Sequence, residues 1–219
     1  MDFSRKKFAL FDLDGTLTDP GEGITKGVSY ALESFGIETP DLTQLYKFIG
    51  PPLLDSFIEY YGFSLEDAKI AISKYREYYR EKGIYENEVL PGVEKMLATL
   101  EGNGMTLILA TSKPAHFAQK VLAHFGLSKY FAFVSGSEMD GSRTKKSEVI
   151  THALDNVPGI SAIESIMIGD RLHDIIGAKE TGMDSIGVLF GYGSLKELTD
   201  AGANFIASSP DEVCSILLG

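Results

Sequence analysis

Cysteine is almost missing from this chain: Cys214 is the single one in 219 residues. One thiol cannot close an internal disulfide and fits a reducing compartment, so a cytoplasmic location is expected. Long apolar runs are missing as well. No segment approaches the ~20 apolar residues of a membrane helix. The run behind the basic start MDFSRKK stops after four residues at Asp12, too short for the core of a signal peptide. Basic charge is scarce: 20 Lys and Arg face 31 Asp and Glu, a net of −11. That argues against non-specific binding to nucleic acid, which takes clustered Lys and Arg. It leaves room for an anionic small molecule, because a pocket can be positive on an acidic surface. The chain also contains no internal repeat and no low-complexity stretch. What it does have is 44% hydrophobic and 11% aromatic residues, enough for a real core, in a length that suits one large domain or one domain with an insert.

Short apolar runs recur, each closed by a turn or a charge: Phe8 to Phe11, Thr106 to Ala110, Phe131 to Ser135, Ser165 to Ile168 and Ser185 to Phe190. They are apolar on both faces, as strands of a parallel sheet covered on both sides read. Helical stripes lie between them. Val93, Met96, Leu97 and Leu100 make one, stopped by Gly104. Phe117, Val121, Leu122 and Phe125 make another before Gly126, and SEVITHALDN (Ser147 to Asn156) a third. Strand and helix therefore alternate from about residue 90 onward, which predicts βαβ units and an α/β fold with a doubly wound, Rossmann-like parallel sheet.

Residues 19–88 break this rhythm and hold no convincing strand. Ile24, Val28, Ala31, Leu32 and Phe35 stripe one helix ended by Gly36. Ser64, with Asp67 three residues on, reads as the cap of a second helix through Leu65, Ala68, Ile72, Tyr75 and Tyr79. The simplest organisation is a core of residues 1–18 and 89–219 carrying a small inserted helical domain of residues 19–88.

In an open α/β sheet the ligand site lies beyond the carboxyl ends of the strands. The chemistry-bearing residues sit there: Asp12 and Asp14, Thr111 and Ser112, the Lys145-Lys146 pair one connection later, and Asp170 with Asp174. Asp12 and Asp14, two residues apart, share a face of the chain, and carboxylates that close raise each other's pKa and call for a proton or cation. Three or four converging carboxylates suit a hard, oxygen-loving cation with water left on it, Mg²⁺. Lys145 or Lys146 adds a fixed positive charge, Thr111 a hydroxyl, and the Ser112 and Gly15 turns N–H donors. Together these parts can hold a phosphoryl group. One aspartate can attack phosphorus while the other moves protons to the leaving oxygen and from water.

FDLDGTLTD (Phe11 to Asp19) resembles the first motif of the haloacid dehalogenase superfamily of phosphohydrolases. LILATSKP resembles its second motif, RTKKSEVI its lysine-bearing third and IMIGDRLHD its fourth, all in the expected order and spanning essentially the whole chain. The helical insert after the first motif, LPGV, TSKP and the late GVLFGYGSLKEL are similar to the phosphoglycolate phosphatase-like subgroup and its 5′-nucleotidase-like branch. The resemblance implies Asp12 as nucleophile and metal ligand, and Asp14 as acid–base group with its carbonyl on Mg²⁺. It implies Thr111 on a phosphoryl oxygen, Asp170 as metal ligand, and Asp174 orienting the lysine or a metal-bound water. Lys146 is taken as the phosphate lysine because it directly precedes the SEVI helix. KFIGPPL (Lys47 to Leu53) resembles the substrate-specificity loop of this type of cap. Lys47, Gly50, Gly15, Ser112, Lys113 and Arg171 are accordingly candidates for phosphate or substrate contact.

The implied activity is Mg²⁺-dependent hydrolysis of a small phosphorylated metabolite, by a monomer or homodimer. Asp14 argues against the dehalogenase branch, which lacks a second aspartate. Leu13-Asp14 departs from the Asp-Lys-Thr-Gly-Thr of the ion-pumping branch. A phosphosugar mutase shares the layout. A phospho-accepting signalling domain also uses an acidic Mg²⁺ pocket with a lysine, but needs no insert of some seventy residues and no Asp14. His116, His124 and His152 read as helix-surface residues, His173 as structural or at the substrate edge, and Cys214 as core filler.

Overall fold

The structure, a computed structural model, describes residues 6–219. Residues 1–5, the start of the basic stretch MDFSRKK, lie outside the described residues. The chain forms two compact units. One runs to Thr18 and resumes from Val89 to Gly219; the other is Asp19–Glu88. No helix among the described residues is long and apolar enough to cross a membrane.

Along the chain the elements are β1 (Phe8–Phe11), β2 (Thr18–Asp19), α1 (Gly21–Glu33), α2 (Leu53–Tyr61), α3 (Leu65–Tyr78), β3 (Glu88–Val89), α4 (Val93–Gly102), β4 (Thr106–Pro114) and α5 (Ala115–His124). They continue with β5 (Phe131–Ser137), α6 (Lys146–Asn156), β6 (Ser165–Gly169), α7 (Leu172–Glu180), β7 (Asp184–Val188), α8 (Leu195–Ala201), β8 (Phe205–Ala207) and α9 (Pro210–Leu218). Six strands form one sheet in the order β5-β4-β1-β6-β7-β8, every neighbouring pair parallel. This is the doubly wound α/β sheet expected.

The run Phe8 to Phe11 carries no alternation because both its faces are covered: all four residues are buried. Phe8 and Leu10 pack with Ile108, Ala110 and Met167 from the flanking strands and with Val149, Ile150 and Ala153 of α6. Full burial of each such side chain stabilises the fold by roughly 1.5–3 kcal/mol before chain entropy is subtracted. The winding matters for function. β1 sits between β4 and β6, with Phe11 in register with Leu109 on one side and Ile168 on the other. The residues that follow these three strands therefore emerge side by side.

The elements differ from the sequence reading in places. β4 runs past Ala110 to Pro114 because its polar end still pairs with β5. β7 ends at Val188 rather than Phe190. The edge strand β8, with three residues, is too short for a periodic signal, and the two-residue β2 and β3 are shorter still.

In the Asp19–Glu88 unit, α1 buries the expected stripe of Ile24, Val28, Ala31 and Leu32. Ser64 caps α3, its Oγ accepting from the Asp67 N–H at 3.0 Å. A 3₁₀ segment, Leu42–Phe48, leads into an aromatic group in which Phe48 and Phe57 meet edge-on at 5.0 Å and Phe57 and Phe63 stack at 5.7 Å.

Leu10→Ala should cost about 2–5 kcal/mol, through lost transfer energy and an unfilled cavity. Urea unfolding followed by circular dichroism checks this; a loss under about 1 kcal/mol would mean that the core around β1 collapses to fill the space.

Candidate active site

Asp12 is the first residue beyond β1. Its N–H donates to Ile168 O at 3.0 Å, which continues the ladder one step past the strand, and the Leu13 N–H donates to its Oδ1 at 2.8 Å. A tight turn follows. Thr16, Leu17 and Thr18 donate to Leu13 O, and Gly15 donates to Thr18 O at 2.7 Å. Gly15 has φ +85°, and a Cβ there would collide with the Asp170 carboxylate. Only glycine allows the first turn and the end of β6 to come this close.

Lys146, the first residue of α6, points its ammonium into the same place. Nζ lies 2.9 Å from Asp12 Oδ1 and 2.7 Å from Asp174 Oδ1, and donates to Ala110 O at 3.1 Å. Asp12 and Asp174 are its ion-pair partners and Ala110 O its hydrogen-bond acceptor. Its side chain is 3% exposed, whereas Lys145 is exposed. Burial works against the ammonium, but Asp12 and Asp174 overcome it and hold its pKa above the ordinary lysine value.

Asp170, just beyond β6, is fully buried. The Thr16 hydroxyl donates to its Oδ1 at 3.1 Å and the Tyr192 N–H to its Oδ2 at 2.8 Å. Burial first, then the charges of Asp174 and Asp12, push its pKa up to about 8. Asp174, in the first turn of α7, is also fully buried. Its Oδ2 accepts the Arg171 N–H at 3.1 Å, and burial raises its pKa against the pull of Lys146. Asp12, Asp170 and Asp174 each offer an oxygen within 4.8 Å of the others.

Asp14 is 8% exposed and its carboxylate turns to Lys113, whose Nζ donates to Oδ1 at 2.8 Å and Oδ2 at 2.6 Å. Burial raises the Asp14 pKa and Lys113 opposes it. Thr111 is buried, and its Oγ1 accepts the Lys113 N–H at 3.2 Å, which leaves its own hydroxyl proton to donate elsewhere.

The first, second, third and fourth motifs thus meet around β1, β4 and β6. Arg171 is engaged by Glu197, Nε to Oε1 at 2.8 Å, and the Ser112 carbonyl accepts from Ser137 Oγ at 2.7 Å. Lys47 and Gly50 belong to the Asp19–Glu88 unit. Lys47 Nζ lies 4.6 Å from the Tyr60 ring centre and 5.3 Å from that of Tyr61, and Gly50 has φ +101°. Asp174, expected to orient the lysine or a metal-bound water, stands within the same carboxylate group as Asp12 and Asp170. The sequence reading also missed Thr16 and the Tyr192 N–H. The Thr that follows Gly15 was a signal for the first. A backbone donor in a Gly-Tyr-Gly turn leaves no side-chain signal.

Among the described residues four carboxylates (Asp12, Asp14, Asp170, Asp174) share this place with two ammonium groups (Lys113, Lys146). With every carboxyl group ionised two negative charges would lack a partner, and in the metal-free protein the raised pKa of Asp170 relieves part of that excess with a proton. Buried uncompensated charge is expensive, and a divalent cation matches the deficit in size and sign. The residues present therefore fit Mg²⁺, with all-oxygen donors. The raised pKa of Asp170 has a direct consequence for the metal-free protein. The folded state binds this proton more tightly than the unfolded chain, so stability from this group is present below about pH 4 and is lost as pH rises toward about 8. In EDTA, the Tm of wild type should fall over that window relative to Asp170→Asn. Parallel pH profiles in differential scanning calorimetry would contradict it.

The chain matches the model of the haloacid dehalogenase-like hydrolase family over residues 9–188. A 5′-nucleotidase of Pseudomonas aeruginosa is 51% identical over 189 residues, covering 86% of this chain and 85% of that protein. The tyrosine-protein kinase PtkA of Mycobacterium tuberculosis is 36% identical over 187 residues, covering 85% of this chain and 63% of that protein. The crystal structure of a predicted phosphatase from Clostridium acetobutylicum superposes with a TM-score of 0.95 at 48% identity, covering 97% of this chain and 98% of that one. The family expected from the four motifs therefore holds: the chain belongs to the haloacid dehalogenase-like hydrolases.

Proposed function

We propose that this protein is a Mg²⁺-dependent phosphatase that hydrolyses small phosphorylated metabolites through an aspartyl-phosphate on Asp12. The observation that carries this reading is Lys146 bridging Asp12 and Asp174 inside a carboxylate group short of two positive charges. Asp12 and Asp170 would hold the cation, with the Asp14 carbonyl as a further oxygen. Bound there, Mg²⁺ would supply the positive charge that lets an anionic phosphoryl group approach an anionic nucleophile.

The Asp12 carboxylate has Oδ1 fixed by the Leu13 N–H and Lys146, so Oδ2 is the oxygen assigned to attack. The Asp12 Oδ2–phosphorus bond forms as the ester oxygen–phosphorus bond breaks, and Asp14 gives its proton to the departing oxygen. In the second half Asp14 takes a proton from water. The water oxygen bonds phosphorus, the bond to Asp12 breaks, and inorganic phosphate leaves with both carboxyl groups restored. Lys146 and the Thr111 hydroxyl neutralise and bind the phosphoryl oxygens as charge shifts among them. Asp174 holds Lys146 in place and spends none of its own charge on the substrate.

The likeness to a protein named 5′-nucleotidase supports a nucleoside monophosphate as substrate, with phosphoglycolate as the second candidate from the subgroup motifs. We assign the choice among leaving groups to the Asp19–Glu88 unit, where Lys47 is the candidate for an anionic substrate tail. A cytoplasmic monomer or homodimer acting on a free metabolite is the setting that fits this activity.

Phosphate release measured over nucleoside 5′-monophosphates, phosphoglycolate, sugar phosphates and pyrophosphate tests the proposal. Turnover should require Mg²⁺, stop in EDTA, and fall by at least about 10⁴-fold in Asp12→Asn, the scale seen when a catalytic nucleophile is removed. Turnover that survives in Asp12→Asn would remove Asp12 as nucleophile, and a sugar phosphate returned as its isomer without free phosphate would make the protein a mutase.

A further inference from the structure

We infer that Lys113 is a positioning residue for Asp14 and not a contact for the substrate. The inference rests on the reading of Asp14 as the acid–base group and corrects the role expected for this lysine from sequence.

Three observations lead there. The first is the pairing itself. The Lys113 ammonium meets both Asp14 oxygens, at 2.8 and 2.6 Å, and the two side chains are 5% and 11% exposed. Contact with both oxygens keeps the carboxylate facing the lysine, where a contact to one oxygen would let it tilt away. The second is the backbone that carries the lysine. In β4, Thr111 lies opposite Gly136 and Pro114 opposite Ser137, so two residues, Ser112 and Lys113, are extra relative to β5. A bulge of this kind re-aims a side chain out of the sheet's alternation.

The third is how firmly the bulge is held. The Lys113 N–H donates to Thr111 Oγ1 at 3.2 Å, and Ser137 Oγ donates to Ser112 O at 2.7 Å. Gly136 lies flat against it, since a Cβ there would stand 2.7 Å from Lys113 O and 2.8 Å from Ala115 Cα. A lysine meant to meet varied substrate groups gains nothing from such immobilisation. A lysine that must hold one carboxylate in one place does. Its charge is committed within the protein, and removing it would leave the Asp14 carboxylate buried beside Asp12 without its counter-charge.

The consequence falls on one step. Proton delivery matters when an alkoxide must leave and matters little when a nitrophenolate leaves, because the latter is stable without the proton. A mispositioned Asp14 therefore penalises alkyl esters more than aryl esters. A lost substrate contact would penalise binding of both.

The experiment compares kcat/KM, which covers the steps through departure of the leaving group, for p-nitrophenyl phosphate and for the best alkyl ester of the panel above. It uses wild type, Lys113→Met, Lys113→Arg, Asp14→Asn and the Asp14→Asn/Lys113→Met double variant, each with its melting temperature. Lys113→Gln, which keeps a donor, replaces Lys113→Met if that variant does not fold. The alkyl-to-aryl ratio should fall by about 10-fold or more in Lys113→Met, a part of the 10²–10⁴-fold that a general acid contributes. Lys113→Arg should restore most of the ratio, the substitution should add nothing in the Asp14→Asn background, and inhibition by inorganic phosphate should stay as in wild type. An unchanged ratio, equal losses on both esters with weaker phosphate inhibition, or additive losses in the double variant would overturn the inference while the phosphatase reading stands. Absence of wild-type turnover on either ester would instead sink the phosphatase reading, and the inference with it.

Discussion

An excess of buried carboxyl groups over ammonium groups is the constraint on which the rest of this site depends. Asp12, Asp170 and Asp174 each offer an oxygen within 4.8 Å of the others, and Lys146 reaches into their midst to form ion pairs with two of them. Lys113 is spent on Asp14 and Arg171 on Glu197. The fold therefore tolerates an arrangement that would be unfavourable by itself, and the raised pKa of Asp170 is the local expression of that cost. A divalent cation would relieve it, and a phosphoryl group would then find positive charge where the bare protein would repel it. Stability and the proposed chemistry are joined here: the carboxyl groups that cost stability are the ones that would suit a metal.

Sheet topology is what brings these groups together from distant parts of the sequence. β1 is flanked by β4 and β6, so Asp12, Thr111 and Asp170 leave adjacent strands although more than fifty residues separate each from the next. Glycine at Gly15 lets the first turn press on Asp170, Thr16 and the Tyr192 N–H each take one of its oxygens, and the bulge in β4 swings Lys113 toward Asp14. Each device is local and small. Together they determine where every carboxylate oxygen points, which is what preorganisation means in a site that works by electrostatics.

Much of this was legible in the chain. The apolar runs from Phe8, Thr106, Phe131 and Ser165 announce themselves because a strand buried on both faces cannot alternate, and the motif residues sit at their ends. Asp12, Asp14, Lys146, Asp170 and Asp174 follow from residue type and place. What stayed hidden has physical reasons. β8 is three residues at a sheet edge, and β2 and β3 are two each, lengths over which no period can be read. Tyr192 acts through its backbone N–H, which any residue but proline would supply. Lys113 looked like a substrate contact because a lysine beside a phosphate motif reads that way. Its turn toward Asp14 comes from a register shift between strands that sequence alone does not display.

The most direct test of this account is calorimetric titration of Mg²⁺ into metal-stripped protein near pH 7, in two buffers of different ionisation enthalpy, with Asp170→Asn alongside. The account predicts one ion bound per chain with release of protons, because Asp170 is partly protonated at that pH and must lose its proton to the metal. It also predicts loss of that binding in Asp170→Asn. Absence of binding to the wild type, or binding of equal strength in the variant, would contradict the claim that the carboxylate group around Lys146 is built for a divalent cation.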